Sequence, residues 1–355
     1  MKSGRYQDMG HSMVSAVMAV YNERPYLEEA VQSILDQTFE DFEFIIINDG
    51  STDGSKEVLE RFADRDKRLR LVHQENEGLI ASLNRGLYMA RGQYIARMDG
   101  DDISHPERFE RQLSFLNKNL DVGILGTRAE IIDEGGNARR QWRLPTHPDA
   151  IAWQSLFNYR LCHPTIMARR SVLEDLGGYA EWPTHAEDYE LWSRAVLKTR
   201  LANLPETLHK HRVHGDAITV KDRAKQIRTL TEAAVRLHRT LLGPQANEKI
   251  SRFLLWMDII GIRRAIDETD LKDFPAAFEY VCSLYKAFVE QVASERKSIE
   301  ARRNALPKLD KIATKIGKRR GRLKEEMYKI RARTMSPIHE VVPWVGRAIR
   351  RRVFQ

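Results

Sequence analysis

The chain has 355 residues, 42% apolar and 30% charged, which is ordinary for a folded protein and enough for two domains; it excludes a collagen-like chain and wholesale disorder. Two cysteines, Cys162 and Cys282, cannot supply a disulfide framework, and a reducing compartment fits. The net charge of +8 is concentrated at one end: residues 290–355 carry 19 Lys and Arg against 7 Asp and Glu, and the remainder is slightly acidic.

The first 120 residues alternate short apolar runs with polar, helix-like stretches, the pattern of buried parallel strands joined by crossover helices. VSAVMAV (14–20) reads as the first strand, and 25–37 as a helix opening with Pro25 and apolar at 27, 30, 31, 34 and 35. FEFIIIN supplies the second strand over 42–48. GSTDGS then offers Asp53 or Ser55 as the cap of a helix running to about 64. LRLVH (69–73) is the third strand, 79–91 an amphipathic helix closed by Gly92, and QYIARMD (93–99) the fourth strand. Four such units predict an α/β, doubly wound, mostly parallel sheet flanked by helices.

Residues 121–215 are less regular, with short strands at VGILG, EIID and TIMAR and a helix over 187–197. After Val220 the pattern is helical: 222–242, 246–266 and 273–305, a break at Pro307, a basic helix to about 333, and a last amphipathic piece, WVGRAIRRRVF. The expected organisation is a flexible N-terminus (1–12), a catalytic domain (13–220), a helical C-terminal domain (221–335) and a basic amphipathic tail (336–355). No apolar run reaches the ~20 residues that a bilayer requires, and no apolar core follows the basic N-terminal residues as in a secretion signal. The expectation is a cytoplasmic protein, peripheral on the inner face of the plasma membrane if the tail meets anionic headgroups. Nucleic acid is disfavoured because no recognised binding module is present.

Ligands of open parallel sheets bind beyond the carboxyl ends of the strands. Three ends here are polar: Tyr21-Asn22-Glu23, Asn48-Asp49-Gly50-Ser51 and Asp99-Gly100-Asp101-Asp102. No GxGxxG follows the first strand, which removes the main support for a dehydrogenase-type dinucleotide fold. Three carboxylates within four residues repel one another unless a cation or a proton neutralises them, and oxygen donors at that density suit Mg2+ or Mn2+. An isolated acidic turn that merely ends a strand remains the plain alternative.

Taken together, VMAVYNERPYLEEAVQSILDQTF, FIIINDGSTDGS, NEGLIASLNRGLYMARGQYIARMDGDD and HAEDYELWSR resemble, in order and spacing, the motif series of family-2 glycosyltransferases of the GT-A fold. The resemblance covers about residues 13–215 and nothing after them. It implies that Asp49 recognises the nucleotide base, that Val20 and Glu23 line the nucleotide pocket, and that Asp99-Gly100-Asp101 is the DxD element. Asp99 would face the ribose, Asp101 would bind a divalent metal (Mn2+ or Mg2+) on the diphosphate, and Asp102 would support it. Asp188, beside Glu187, would be the general base of an inverting transfer, and His214 would approach the metal. The implied partners are a nucleotide-sugar donor, UDP-linked by preference, and a saccharide or lipid-linked acceptor in bacterial surface polysaccharide or lipopolysaccharide synthesis. Two other readings stay open: a metal-dependent nucleotidyltransferase, and a non-catalytic membrane-associated scaffold that keeps the fold.

Overall fold

In the computed structural model, residues 12–215, 223–260, 262–270 and 274–295 are described. They fall into two compact units. The first takes the chain up to Thr146, Leu161–Leu191 and the stretch from Thr199 to Arg223; the second takes His147–Arg160, Trp192–Lys198 and the later helices.

The first unit is organised by β1 (Val14–Val20) and β2 (Phe42–Asp49), every residue of which is buried. Strands buried along their whole length are covered on both faces, so they occupy the middle of a sheet. Helices α1 (Arg24–Leu35), α2 (Ser55–Arg65) and α3 (Leu79–Met89) connect β1, β2, β3 (Leu69–Gln74) and β4 (Tyr94–Asp99), which run parallel in the order β3-β2-β1-β4. α1 buries Leu27, Ala30, Val31 and Ile34, the stripe expected from the sequence.

Beyond β4 the sheet changes character. β8 (Met167–Arg169) pairs antiparallel with both β4 and β6 (Val122–Ile132); β6 pairs parallel with β9 (Arg200–Arg212) and antiparallel with β7 (Ala138–Trp142). The two residues of β5, Ile103–Ser104, pair with His209 and Lys210 of β9. The sheet is therefore mostly parallel, as the sequence suggested, but mixed: four long parallel pairings are joined by four short antiparallel ones among the described residues. VGILG and EIID, expected as separate strands, form the single strand β6 because the whole of Val122–Ile132 finds partners on β8, β9 and β7. α4 (Arg108–Lys118) packs Phe109, Leu113 and Leu116 into the same core.

Two local expectations change. α2 begins after Gly54, which carries no side-chain cap; Asp53 instead accepts from Ser55 N (3.0 Å) and, across the loop, from Arg24 N (2.9 Å). α3 ends at Met89, before Gly92, and Gly92 serves a close approach rather than a cap. A Cβ there would lie 2.6 Å from the Ser15 backbone nitrogen.

The second unit contains α5 (Pro148–Gln154), the latter half of α7 (Glu187–Lys198), α8 (Arg223–Leu242), α9 (Glu248–Ile259), α10 (Ile262–Thr269) and α11 (Phe274–Glu295). The expected single helix over 246–266 is thus two, α9 and α10, with Ile260 outside both. At its centre the fully buried His238 sits 2.8 Å from Ser251 Oγ and 2.9 Å from Leu156 O, and Tyr280 meets the same serine at 2.8 Å. Asn158 and Arg160 both donate to Asp258, at 2.8 and 2.7 Å. Every polar group named here has a partner, as burial requires. No helix among the described residues is long and apolar enough to cross a membrane. The expected basic tail lies outside the described residues.

One buried carboxylate ties the parallel layer together. Glu43 on β2 accepts from Ser15 Oγ (2.7 Å), Arg91 N (2.7 Å) and Arg70 Nη1 (2.6 Å), linking β1, β3 and the end of α3. Burial opposes its ionisation, but the bonds from Ser15, Arg70 and Arg91 outweigh it and hold the carboxyl below the usual glutamate range. The resulting stabilisation is present above the ordinary glutamate pKa and is lost as the pH falls through the lowered one. Glu43→Ala is expected to destabilise the fold by about 2–3 kcal/mol in urea unfolding at neutral pH, with the deficit shrinking in acid.

Candidate active site at the carboxyl ends of the strands

β1, β2 and β4 are in parallel register, so their C-terminal ends emerge on one edge: Val20 pairs with Asn48, and Ala19 with Asp99. Directly beyond them lie Glu23 at the start of α1, Asp49 at the end of β2, and the Asp99–Asp102 turn.

Glu23 and Gly100 meet closely. A Cβ on Gly100 would fall 1.7 Å from Glu23 Oε2, so only glycine admits that carboxylate between Asp99 and Asp101. Glu23 Oε2 is buried and has no hydrogen-bond partner. Burial raises its pKa well above the usual value, and Asp101 and Asp99 add to the rise. Asp99 is pushed up to about 6, by burial first and by Asp102 and Asp101, against the opposing pull of its ion pair with Arg97. Asp99, Asp101 and Asp102 each offer an oxygen within 4.8 Å of the others. A surplus of buried negative charge with an orphaned carboxylate oxygen is the chemistry of a hard divalent cation site, and the donor set fits Mg2+ or Mn2+.

The other end of the turn is saturated. Asp102 is fully buried, and its Oδ2 lies 2.7 Å from His209 Nε2 and 3.0 Å from His211 Nδ1. Its Oδ1 accepts from Arg212 N at 2.7 Å. Burial works against its charge, but His211 and His209 hold its carboxyl far below the usual range. His211 is correspondingly pushed up to about 9: burial lowers it, and the Asp102 carboxylate more than compensates. Asp102 therefore anchors β9 to the turn. His214, two residues past β9, lies with Nε2 3.0 Å from Asp101 Oδ2. Arg212 extends the clasp, donating through Nε to Asp101 O (2.8 Å) and through Nη2 to Glu29 on α1 (2.7 Å), with its guanidinium over the Tyr26 ring.

Asp49 is 3% exposed and already engaged. Oδ1 accepts from Gln74 Nε2 (2.7 Å) and Glu77 N (2.9 Å), and Oδ2 from Gly78 N (2.9 Å). It thus shapes the loop between β3 and α3, whatever else it contacts. Val20 is a core residue packed beneath Gly100.

Glu187 and Asp188 open α7, within the first unit. Asp188 Oδ1 accepts from Tyr189 N at 2.7 Å. Glu187 is pushed up to about 8, by burial first and by Asp188 second; burial also raises Asp188. Next to them the buried turn His163–Thr165 brings His163 Nδ1 to 3.9 Å from Glu187 Oε1 and its Nε2 to 2.7 Å from Tyr179 OH. Burial lowers the His163 pKa well below the ordinary histidine value, so its ring is neutral. Trp153 and Trp192 are buried, 7% and 0% exposed.

The residues to which the sequence gave no site role are Arg97, His209, His211 and Arg212. A signal was available for three of them: Arg97 shares a face with Asp99 by strand alternation, and HKHRVH alternates His209 and His211 onto one face of β9.

Comparison with known proteins agrees with this geometry. The family model described as Glycosyl transferase family 2 matches residues 15–177. An uncharacterised glycosyltransferase of Haemophilus influenzae is 37% identical over 215 residues, 58% of this chain and 66% of that protein. The putative glycosyltransferase EpsE of Bacillus subtilis is 38% identical over 58% of this chain and 74% of its own. The O-antigen biosynthesis glycosyltransferase WbnJ of Escherichia coli is 33% identical over 57% of this chain and 80% of its own. Among solved structures, S. aureus TarS 1–349 in complex with UDP superposes with a TM-score of 0.55 at 18% identity, covering 79% of this chain and 82% of that one. The mannosyltransferase PcManGT of Pyrobaculum calidifontis, in complex with GDP-Man and Mn2+, superposes at 0.53 and 17% identity, covering 81% and 89%. With a mixed α/β sheet of GT-A type and these relatives, the chain belongs to glycosyltransferase family 2.

Proposed function

We propose that the chain is an inverting, metal-assisted glycosyltransferase that moves a sugar from a UDP-linked donor to a saccharide or lipid-linked saccharide acceptor. The observation that carries the reading is a pair of carboxylate clusters with opposite needs. Glu23, Asp99 and Asp101 form a surplus of negative charge at the ends of β1 and β4, suited to a cation-bound diphosphate. Glu187 and Asp188 form a separate buried pair with raised proton affinity, suited to taking a proton.

In this reading Asp101 and His214 hold the metal, with Glu23 beside them and Asp102 fixing the turn from behind. The metal supplies Lewis-acid stabilisation of the charge that appears on the departing nucleoside diphosphate. Asp99 faces the ribose. Asp49, which braces the loop after β3, turns its remaining lone-pair capacity to the uracil imide. Asp188 removes the proton of the acceptor hydroxyl as that oxygen bonds to the anomeric carbon. The bond from that carbon to the diphosphate breaks on the opposite face, and its electron pair leaves with the nucleotide, so the configuration inverts. Glu187, one residue away, shares the proton load of the pair. TarS with UDP and PcManGT with GDP-Man and Mn2+ support a nucleotide-diphosphate donor and a divalent metal. WbnJ, named for O-antigen biosynthesis, supports a surface-polysaccharide acceptor. The basic tail suits an anionic membrane surface where such acceptors are carried.

Calorimetric titration with UDP tests the donor site. Micromolar binding is expected with Mn2+, lost in EDTA, and weakened at least about tenfold in Asp101→Ala. Tight GDP binding in place of UDP would correct the donor, and binding of no nucleotide would return the chain to the scaffold reading. The base is tested by pH. Burial raises Asp188, so transfer should rise with pH along a limb displaced above the ordinary aspartate range. Glu187, pushed up to about 8, carries no charge below that pH, so Glu187→Gln should leave the limb close to its wild-type position. Asp188→Asn should lower kcat by about 100-fold or more at every pH, with UDP binding intact.

A further inference from the structure

The two carboxylate clusters share one buried cation, Arg97. It is 4% exposed on β4, two residues before Asp99 and therefore on the same face of the strand. Its Nη2 pairs with Asp99 Oδ1, while Nε and Nη1 are buried without a hydrogen-bond partner. Unsatisfied guanidinium donors at this depth are rare, because leaving them unpaired is costly. Arg97 N donates to Ile166 O at 3.0 Å, which sets β4 against the turn that carries His163. That turn brings His163 to 3.9 Å from Glu187 and to 2.7 Å from the Tyr179 hydroxyl. Arg108, on α4, fixes the Arg97 backbone from behind by donating to its carbonyl at 3.1 Å.

We propose that Arg97 is a positioning residue that couples the donor and acceptor halves of the site, gripping Asp99 with one edge of its guanidinium and serving with the other as the counter-charge of Glu187 and Asp188. The inference rests on the transferase reading and adds to it a residue outside the motif roles. An arginine suits the task better than a lysine, since a planar fork can hold one carboxylate and still present further donors. The surroundings support the assignment. Arg97 pairs directly with Asp99, and its charge lowers the proton affinity of Glu187 and Asp188. Asp99 on β4, neutral His163, Tyr179 and Cys162 also lie in the electrostatic surroundings of the two carboxylate groups. With Arg97 in place, the base can ionise while the donor carboxylates beside it are also charged.

The test compares Arg97→Gln and Arg97→Lys with the wild type in the full chain, by two measurements that do not need the true donor or acceptor. Carboxyl 13C NMR follows the titration of Glu187 and Asp188, and calorimetry follows UDP binding in the presence of Mn2+. Arg97→Gln should move the titration of the pair upward by about one pH unit, and Arg97→Lys, which keeps the charge, should leave it close to wild type. Both variants should weaken UDP binding by about tenfold, because neither can grip Asp99 as a fork does. An unmoved titration in a folded Arg97→Gln, whatever its melting temperature, overturns the coupling and leaves a structural arginine. Should Arg97→Gln fail to fold, Arg97→Lys decides: unchanged UDP affinity overturns the proposal, and weakened affinity at an unchanged titration upholds it. If the wild type binds no UDP, the donor reading fails on its own, and the NMR titration still judges Arg97.

Discussion

The buried Asp102 carboxylate is the contact on which the arrangement of the site depends. It sits at the end of β4, accepts from His209, His211 and the Arg212 amide, and has no exposure to solvent. A buried carboxylate is tolerable only with such partners, and removing any of them would leave charge stranded. The same contact fixes the course of β9, whose residues lie more than a hundred positions later in the chain. Once β9 is anchored, His214 arrives at Asp101, and Arg212 reaches both the Asp101 carbonyl and Glu29 on α1. Asp102 thus holds the turn from behind, while Asp99 keeps its ion pair with Arg97 and Asp101 its contact with His214.

That division within one tetrapeptide explains why the motif reads Asp-Gly-Asp-Asp. Gly100 leaves room for Glu23, whose carboxylate occupies the space a side chain would fill. Val20 closes the floor beneath, as a core residue of β1. Each element is local, yet together they gather carboxylates that the protein alone does not neutralise. Burial first, and the neighbouring carboxylates after it, raise Glu23 and Asp99. Arg97 is the exception within the cluster, a cation held where both carboxylate groups feel it.

The second carboxylate pair is built on the same scheme with different parts. Glu187 and Asp188 sit in the first turn of α7, where a helix dipole favours negative charge, while burial and mutual repulsion favour a proton. The balance falls toward the proton for Glu187. Neutral His163 and the Tyr179 hydroxyl, 2.7 Å apart, form the polar wall beside it.

Much of this was legible in the sequence. The β-branched runs dictated β1 and β2, strand alternation and length dictated the βα order, and the polar strand ends picked out Glu23, Asp49 and Asp99–Asp102, because a parallel layer must bring those ends to one edge. The motif series named the family for the same reason: its residues are clustered within each motif. The motif series named Asp101 for the metal and Asp102 as its support, but for two adjacent, chemically identical carboxylates it gave no physical reason why Asp102 is the buried one. That choice came from the pairing of β5 with β9, which sets Ser104 beside His209 and delivers the two histidines to Asp102 alone. The mixed half of the sheet and the role of Arg97 were hidden likewise. Both depend on non-local pairings of β8 and β9 with strands far away in the chain, and a register between distant strands is fixed by packing across the whole sheet rather than by any run of residues within it.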